Sequence, residues 1–117
     1  MTWAILFYDK FALELENFPK NVQKRMLAKV KVLEEFGPEL GRPHVDTLKG
    51  SKYTNMKELR FDAENGVWRI AFIFDPQRNG ILLIGGNKSG IKEKRFYQEL
   101  IEKADNRYKE YLEDISK

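Results

Sequence analysis

Residues 53–87 read YTNMKELRFDAENGVWRIAFIFDPQRNGILLIGGN, and three segments of this stretch have the composition of β-strands. The segments are Tyr53 to Phe61, Val67 to Phe74 and Ile81 to Asn87. Turn signals around Asn65-Gly66 and Asn79-Gly80 separate them. Because such short turns connect neighbouring strands, this stretch predicts an antiparallel meander.

The segments before the meander predict one strand, two helices and a loop. Trp3 to Tyr8 is an apolar, aromatic run that predicts a buried strand, with Asp9 as the N-cap of a following helix. Pro19 interrupts the helical spacing, so a short helix is followed by a longer one that Gly37-Pro38 ends. Gly41 to Ser51 has no periodicity, which predicts a long loop.

The C-terminal part of the chain predicts one more helix. After Gly90, apolar side chains recur at helical spacing from Tyr97 to Ile115. The predicted order is therefore β-α-α-β-β-β-α, an α+β fold with a helical hairpin packed on a small antiparallel sheet. With 117 residues, the chain has the length of a single domain spanning 1–117.

Composition excludes several classes of chemistry. The chain has no cysteine and one histidine, so we expect no disulfide, no iron–sulfur cluster and no thiolate or His-rich metal site. Its length leaves no room for a separate cofactor domain, and we expect no cofactor. No apolar run approaches the ~18 residues of a membrane span, and no basic segment precedes the short apolar stretch at the N-terminus. We therefore expect a cytoplasmic protein that does not bind a membrane.

The basic residues are concentrated in the middle of the sequence. The net charge of the whole chain is +3, with 21 basic and 18 acidic residues. Residues 1–40 carry six of each (net 0), residues 41–95 carry eleven and six (net +5), and residues 96–117 carry four and six (net −2). If the protein binds a polyanion, residues 41–95 are where we expect the contact.

Strand periodicity predicts which side chains of the meander share a face. Met56, Glu58 and Arg60 alternate with Lys57, Leu59 and Phe61, which face the other side of the sheet or its rim. On the next strand the large side chains at Trp68, Ile70, Phe72 and Phe74 predict the core face. Arg69 points the opposite way. The hairpin therefore predicts one carboxylate, Glu58, beside two guanidiniums, Arg60 and Arg69.

This grouping suits the cleavage of a phosphodiester. Guanidiniums bind phosphate oxygens as a bidentate fork, and their charge stabilises a transition state that is more negative than the substrate. Glu58 is the candidate base for a ribose 2′-hydroxyl, and Tyr97 or a lysine is the candidate group that assists the leaving oxygen. The same spacing also fits a solvated cross-strand ion pair, and spacing alone favours that simpler interpretation. The candidate RNA-binding residues are Lys57 on the first strand and five basic residues near the sheet, Lys49, Lys52, Lys92, Lys94 and Arg95.

Two further features have structural interpretations. His44, the only histidine, lies in the predicted loop, where a hydrogen-bonding role is favoured over catalysis. Residues 85–90, GGNKSG, lack the spacing of a phosphate-binding loop. A close approach of the backbone explains Gly85 and Gly86 better.

Several motifs, in this order, resemble the HigB-like, phage-derived branch of the RelE/ParE toxin superfamily. The resemblance covers essentially the whole chain, and its order makes it more specific than any single motif. The segments that carry it are Leu40–Pro43, Asp46–Ser51, Asn55–Arg60, Trp68–Pro76, Ile81–Lys88, Phe96-Tyr97 and Ala104-Asp105.

The resemblance implies a function and a set of site residues. It implies the toxin of a type II toxin–antitoxin pair, an endoribonuclease that cuts mRNA on the translating ribosome and is silenced by a helix-turn-helix antitoxin of the HigA kind. The residues that match the family's functional positions are Arg60, Arg69, Lys88 and, less closely, Tyr97. RelE-type members carry lysines along residues 56–58, where this chain has Met56 and Glu58. Glu58 is therefore the better candidate base.

Two alternative functions fit the same fold. A ParE-like toxin inhibits DNA gyrase without nuclease chemistry, and in such a protein Glu58, Arg60 and Arg69 are dispensable. A module that has lost its activity binds only an antitoxin. The sequence alone leaves both open, and it leaves the oligomeric state and the codon preference open as well.

Overall fold

The computed structural model describes residues 2–117, which form one mixed sheet with helices on both faces. The spatial order of the strands is β1-β5-β4-β3-β2. The strands are β1 (Ile5–Phe7), β2 (Val45–Thr47), β3 (Lys57–Ala63), β4 (Gly66–Phe74) and β5 (Gly80–Asn87). The helices are α1 (Asp9–Leu15), α2 (Lys20–Phe36) and α3 (Glu93–Ile115), and a 3₁₀ turn, Gly37–Glu39, follows α2.

The predicted α+β class, the helical hairpin and the meander are confirmed. β3, β4 and β5 pair antiparallel in sequence order. A two-residue turn joins β3 to β4, and both of its residues, Glu64 and Asn65, have positive φ values of 53° and 58°. Two successive residues of positive φ give the twist that a tight hairpin needs. The turn thus lies one residue earlier than Asn65-Gly66.

Four details of the prediction are wrong. The first strand of the meander is Lys57–Ala63 rather than Tyr53 to Phe61. Residues 45–47 of the predicted loop form β2, an edge strand in which Val45 pairs with Leu59. β1 pairs parallel to β5, so the sheet is mixed rather than antiparallel. Asp9 is the first residue of α1, and Tyr8 is its N-cap. A three-residue strand is too short to show alternation, and periodicity contains no information about which strand is the neighbour.

The sheet has a core on each face rather than on one. Side chains of α1 and α2, such as Phe11 and Met26, pack on Ile70 and Phe72 of β4. On the opposite face, α3 packs on a second cluster. That cluster includes Met56, Ala71, Ile73, Leu83, Phe96 and Leu100. Glu58 and Arg69 belong to this second face, and α3 therefore covers them.

Two of the structural interpretations are confirmed. A Cβ on Gly85 would collide with the Ile70 side chain, so the backbone approaches closely there. The Lys29 ammonium donates a hydrogen bond to Nδ1 of His44 over 2.7 Å, which gives this histidine a structural role. None of the helices within residues 2–117 combines the length and the apolar character needed to cross a bilayer.

Candidate active site

An open cleft of about 540 Å³ lies between β2, β3 and the start of α3. Its lining is mostly charged, with five cations and three carboxylates. The cations are Arg42, Lys49, Arg60, Lys88 and Lys94, the carboxylates are Asp46, Glu58 and Glu93, and Tyr97 completes one wall. The positive excess makes the cleft suited to an anionic ligand.

Glu58 lies at the base of this cleft with both carboxylate oxygens engaged. Arg60 Nη1 donates to its Oε2 over 3.0 Å, and the Tyr97 hydroxyl donates to its Oε1 over 2.7 Å. Glu58 is only 4% exposed. A buried carboxylate requires such partners, because an unpaired charge away from water is strongly disfavoured. The structure therefore brings the predicted residues Glu58, Arg60 and Tyr97 together in one site.

Arg69 supports Glu58 from beneath the cleft. It pairs across the strands with Arg60, and its Nε lies 3.6 Å from Glu58 Oε1. Its Nη1 donates to the carbonyl oxygen of Trp68 over 2.9 Å. Arg69 is 6% exposed and does not line the cleft. The expectation of a solvated ion pair is therefore wrong for Glu58 and Arg69, because α3 covers both side chains.

The surroundings of Tyr97 favour its neutral form. Burial and, after it, the Glu58 carboxylate raise the pKa of Tyr97 to about 12. The phenol therefore keeps its proton at neutral pH and donates it to Glu58 in a hydrogen bond. Lys88 Nζ lies 5.5 Å from the centre of the Tyr97 ring, within range of a cation–π contact.

Lys88 is near the same group but is paired with an exposed acid. Its Nζ lies 2.8 Å from Oε1 of Glu93, and this hydrogen bond lowers the pKa of Glu93. The Glu93 side chain is 70% exposed, whereas that of Lys88 is 21% exposed. An exposed pair of this kind contributes little stability. Lys88 can therefore exchange Glu93 for an anionic ligand.

A second ion pair at the cleft, between Arg42 and Asp46 of the edge strand β2, was not predicted from the sequence. Asp46 lies opposite Glu58 in the β2–β3 register. Arg42 donates to Asp46 Oδ2 from Nε over 3.0 Å and from Nη2 over 2.6 Å. That contact lowers the pKa of Asp46. Both nitrogens donate to the same oxygen, so the contact is charge-assisted but is not a two-oxygen bidentate fork, and the Arg42 side chain is 70% exposed. The sequence offered no periodic signal for this pair, because β2 is too short to show alternation.

The structure brings together only some of the predicted RNA-binding residues. Lys49 and Lys94 line the cleft, and Lys52 lies in the groove that continues from it. Lys57 projects to the other face and donates to the carbonyl oxygen of Pro38 over 2.8 Å. The remaining two lie at the start of α3 and outside the cleft lining. They are Lys92, which is exposed, and Arg95, which pairs with Glu99.

The described residues hold no constellation typical of a metal centre. Within residues 2–117, no three side chains of His, Asp or Glu come together to ligate an ion. The functional groups around Glu58 are its buried carboxylate, two guanidiniums, a neutral phenol and an ammonium, from Arg60, Arg69, Tyr97 and Lys88. These groups serve for proton transfer and for the binding of a phosphate.

Comparison of the sequence with known families identifies one match. Residues 13–109 match the family described as phage derived protein Gp49-like. The chain belongs to this family. The predicted resemblance to phage-derived proteins is thereby confirmed, and the matched range contains the cleft residues described above.

Two proposed toxins of Mycobacterium tuberculosis are similar to the chain. HigB2 is 40% identical over 105 residues, which are 89% of this chain and 52% of HigB2. HigB3 is 48% identical over 83 residues, which are 71% of this chain and 70% of HigB3. The chain therefore spans about half the length of one relative and about two thirds of the other.

Solved structures confirm the RelE-like fold. A double mutant of the Escherichia coli toxin RelE in the free state aligns with a TM-score of 0.66 at 13% identity, over 92% of this chain and 98% of that one. A chain of the archaeal RelE–RelB complex from Pyrococcus horikoshii aligns with a TM-score of 0.55 at 19% identity, over 77% of this chain and 99% of that one. At these identities the likeness concerns the fold.

Proposed function

We propose that the protein is the toxin of a type II toxin–antitoxin system and that it cleaves mRNA by attack of a ribose 2′-hydroxyl. The observation that carries the proposal is the position of Glu58, a buried carboxylate at the base of a basic cleft, bound by Arg60 and Tyr97. A base and a guanidinium thus meet where a phosphodiester would enter. The names of the two mycobacterial relatives support the toxin assignment.

Glu58 and Arg60 would act at the attacking side. An oxygen of Glu58 takes the proton of the 2′-hydroxyl, the 2′-oxygen bonds to phosphorus, and the bond from phosphorus to the 5′-oxygen breaks. Arg60, whose side chain is 24% exposed in the cleft, turns from Glu58 to the phosphate oxygens. Its charge stabilises the negative charge that develops there. The products are a 2′,3′-cyclic phosphate and a 5′-hydroxyl.

Lys88 would act at the leaving side, and two residues would position the base. The Lys88 ammonium gives the departing 5′-oxygen its proton, which balances the proton that Glu58 takes. Tyr97 donates its proton to Glu58 and orients it, while Arg69 holds the same carboxylate from below. In the reaction itself Arg69 and Tyr97 are therefore positioning residues, and Arg60, Glu58 and Lys88 act on the reacting groups.

The translating ribosome and an antitoxin are the partners that we propose. The cleft is open rather than enclosed, so a second surface that holds the mRNA in line for attack would supply the orientation that the protein lacks. The archaeal complex of RelE with RelB supports an antitoxin partner, and a HigA-like helix-turn-helix protein is the kind that fits a HigB-like toxin. Because ribosomes are cytoplasmic, we propose that the protein acts in the cytoplasm.

The test is to map the 5′ ends of mRNA on programmed ribosomes incubated with purified wild type and Glu58→Gln. The substitution keeps the shape of the side chain and removes the base, so we expect cleavage to fall by roughly 10²- to 10⁴-fold. Asp62→Asn is the matched control, since Asp62 is an exposed carboxylate on the same strand outside the cleft.

Two results would contradict the proposal. One is intact mRNA with the wild-type protein, and the other is equal cleavage by wild type and Glu58→Gln. The circular dichroism spectrum and the unfolding midpoint of Glu58→Gln should show that the variant is folded. If they show a loss of structure, Lys88→Met provides the second test, because Lys88 is not buried beneath the cleft. Cleavage by a folded Lys88→Met at the wild-type rate would contradict the proposed leaving-group role.

A further inference from the structure

A second groove of about 480 Å³ continues from the cleft along α3. The two share Lys49, Lys94 and Tyr97, so a strand bound in one can pass directly into the other. This second groove lies between α3 and the loop that follows β2, and we call it the α3 groove. The proposed chemistry uses none of its outer residues.

The α3 groove has an apolar floor and a basic rim. Tyr97 and Ile101 lie one helical turn apart on α3 and provide the floor. The backbone of Gly50 lies close above, since a Cβ built on Gly50 would come within 3.7 Å of Ile101. Lys49, Lys52 and Lys94 are exposed at the rim, and within residues 2–117 none of the three forms an ion pair.

Two uncommitted polar side chains complete the α3 groove. Gln98 and Glu102 are four residues apart on α3 and so project from the same side of the helix. Both are exposed, and neither forms a hydrogen bond to another side chain within the described part of the chain. Asp105, at the far end, is already engaged by Ser51 and the amide of Lys52. The groove thus offers one free amide and one free carboxylate.

We propose that the α3 groove binds a nucleobase of the RNA strand next to the scissile phosphate, and that Gln98 and Glu102 read its edge. The proposal rests on the proposed function and names a specificity site for it. A base has apolar faces and a polar edge, which match the floor and the two polar side chains. The free lysines match the phosphates on either side of that base. A side-chain amide can pair bidentately with adenine, and a carboxylate accepts from an exocyclic amino group.

The experiment compares cleavage of a set of mRNAs on programmed ribosomes. The members of the set differ only in the base on one side of the cleavage site or on the other, and the ratio of rates measures base preference. We expect Gln98→Ala to reduce the preference at one of these positions by roughly tenfold, since an edge contact discriminates by about that much. Asn106→Ala is the matched control, because Asn106 is an exposed amide on α3 outside the groove.

The outcomes separate this inference from the proposed function. If wild type cleaves with a base preference that both Gln98→Ala and Glu102→Gln retain, the inference is wrong and the proposed function stands. A wild type that cleaves all members equally also contradicts the inference alone. If wild type cleaves none of the mRNAs, both are wrong. A preference that Gln98→Ala loses and Asn106→Ala keeps supports both.

Discussion

Tyr97 shows how the site sets the protonation of a single residue. Burial and the Glu58 carboxylate disfavour the phenolate, and they raise the pKa of Tyr97 from 10.0 to about 12. In the unfolded chain the phenol titrates near its ordinary value. Between these two values the unfolded chain loses a proton that the folded protein keeps, so folding becomes less favourable as the pH rises.

We therefore predict a loss of stability at alkaline pH that depends on Tyr97. The free energy of unfolding of the wild type should be highest below pH 10 and should fall as the pH approaches 12. In Tyr97→Phe this fall should be smaller but not abolished, since Tyr8, Tyr108 and Tyr111, whose pKa values are also raised, still contribute. Urea titrations just below pH 10 and just below pH 12 measure the difference. An equal fall in both proteins would contradict this assignment.

The sequence predicted which face of the sheet each side chain occupies, but it did not indicate which helix covers that face. Alternation alone put Glu58, Arg60 and Arg69 on one side of the sheet, as the register confirms. The burial of Glu58 and Arg69 depends on α3, which begins 35 residues after Glu58 in the chain. Strand periodicity contains no information about which face a distant helix covers. The environment of the carboxylate therefore required the tertiary structure.

Among the elements, the loop between β2 and β3 is fixed by one buried residue of α3. Asp105 accepts a hydrogen bond from the Ser51 hydroxyl over 2.5 Å and another from the amide of Lys52 over 2.9 Å. The amide of Tyr53 in turn donates to the Ser51 hydroxyl oxygen over 3.0 Å. The same loop carries Lys49 and Lys52 to the α3 groove. A residue far from Glu58 thus positions part of the basic rim.

We predict that Asp105→Asn destabilises this loop. The asparagine oxygen can still accept from the Lys52 amide, but the Ser51 hydroxyl loses its charged acceptor and has to turn round to accept from the NH₂ group, so the free energy of unfolding should fall by about 1–2 kcal/mol. Amide hydrogen exchange in residues 48–56 should become faster. Asp114→Asn is the control, since Asp114 is exposed near the end of the same helix. If both variants exchange at wild-type rates in residues 48–56, Asp105 does not hold the loop.

Element prediction was accurate where the signals were local and failed where they were not. Pro19 separates α1 from α2, and Gly37 ends α2. Both effects follow from the backbone geometry of these residue types, so they can be predicted from the sequence. β2 is a strand because Val45 and Thr47 pair with β3, not because of its own three residues. Missing β2 also meant missing Arg42 and Asp46 as parts of the site.

For the whole molecule, the distribution of charge is more informative than its sum. The segment 41–95 carries a net charge of +5. Five of its cations line the cleft, together with the carboxylates Asp46, Glu58 and Glu93 of the same segment. Arg78 of this segment lies elsewhere, with its guanidinium 4.7 Å from the centre of the Trp3 ring. The neutral segment 1–40 supplies the helices on the opposite face. The acidic segment 96–117 forms most of α3.

In the proposed reaction the 2′-hydroxyl of the substrate is the nucleophile. The most direct measurement is cleavage by the wild-type protein of an mRNA that carries a single 2′-deoxy nucleotide on the 5′ side of the mapped cleavage site, on programmed ribosomes. The unmodified mRNA should yield a 2′,3′-cyclic phosphate and a 5′-hydroxyl, and the 2′-deoxy mRNA should stay intact at that site. Cleavage of the 2′-deoxy mRNA at the same site and rate would contradict the account.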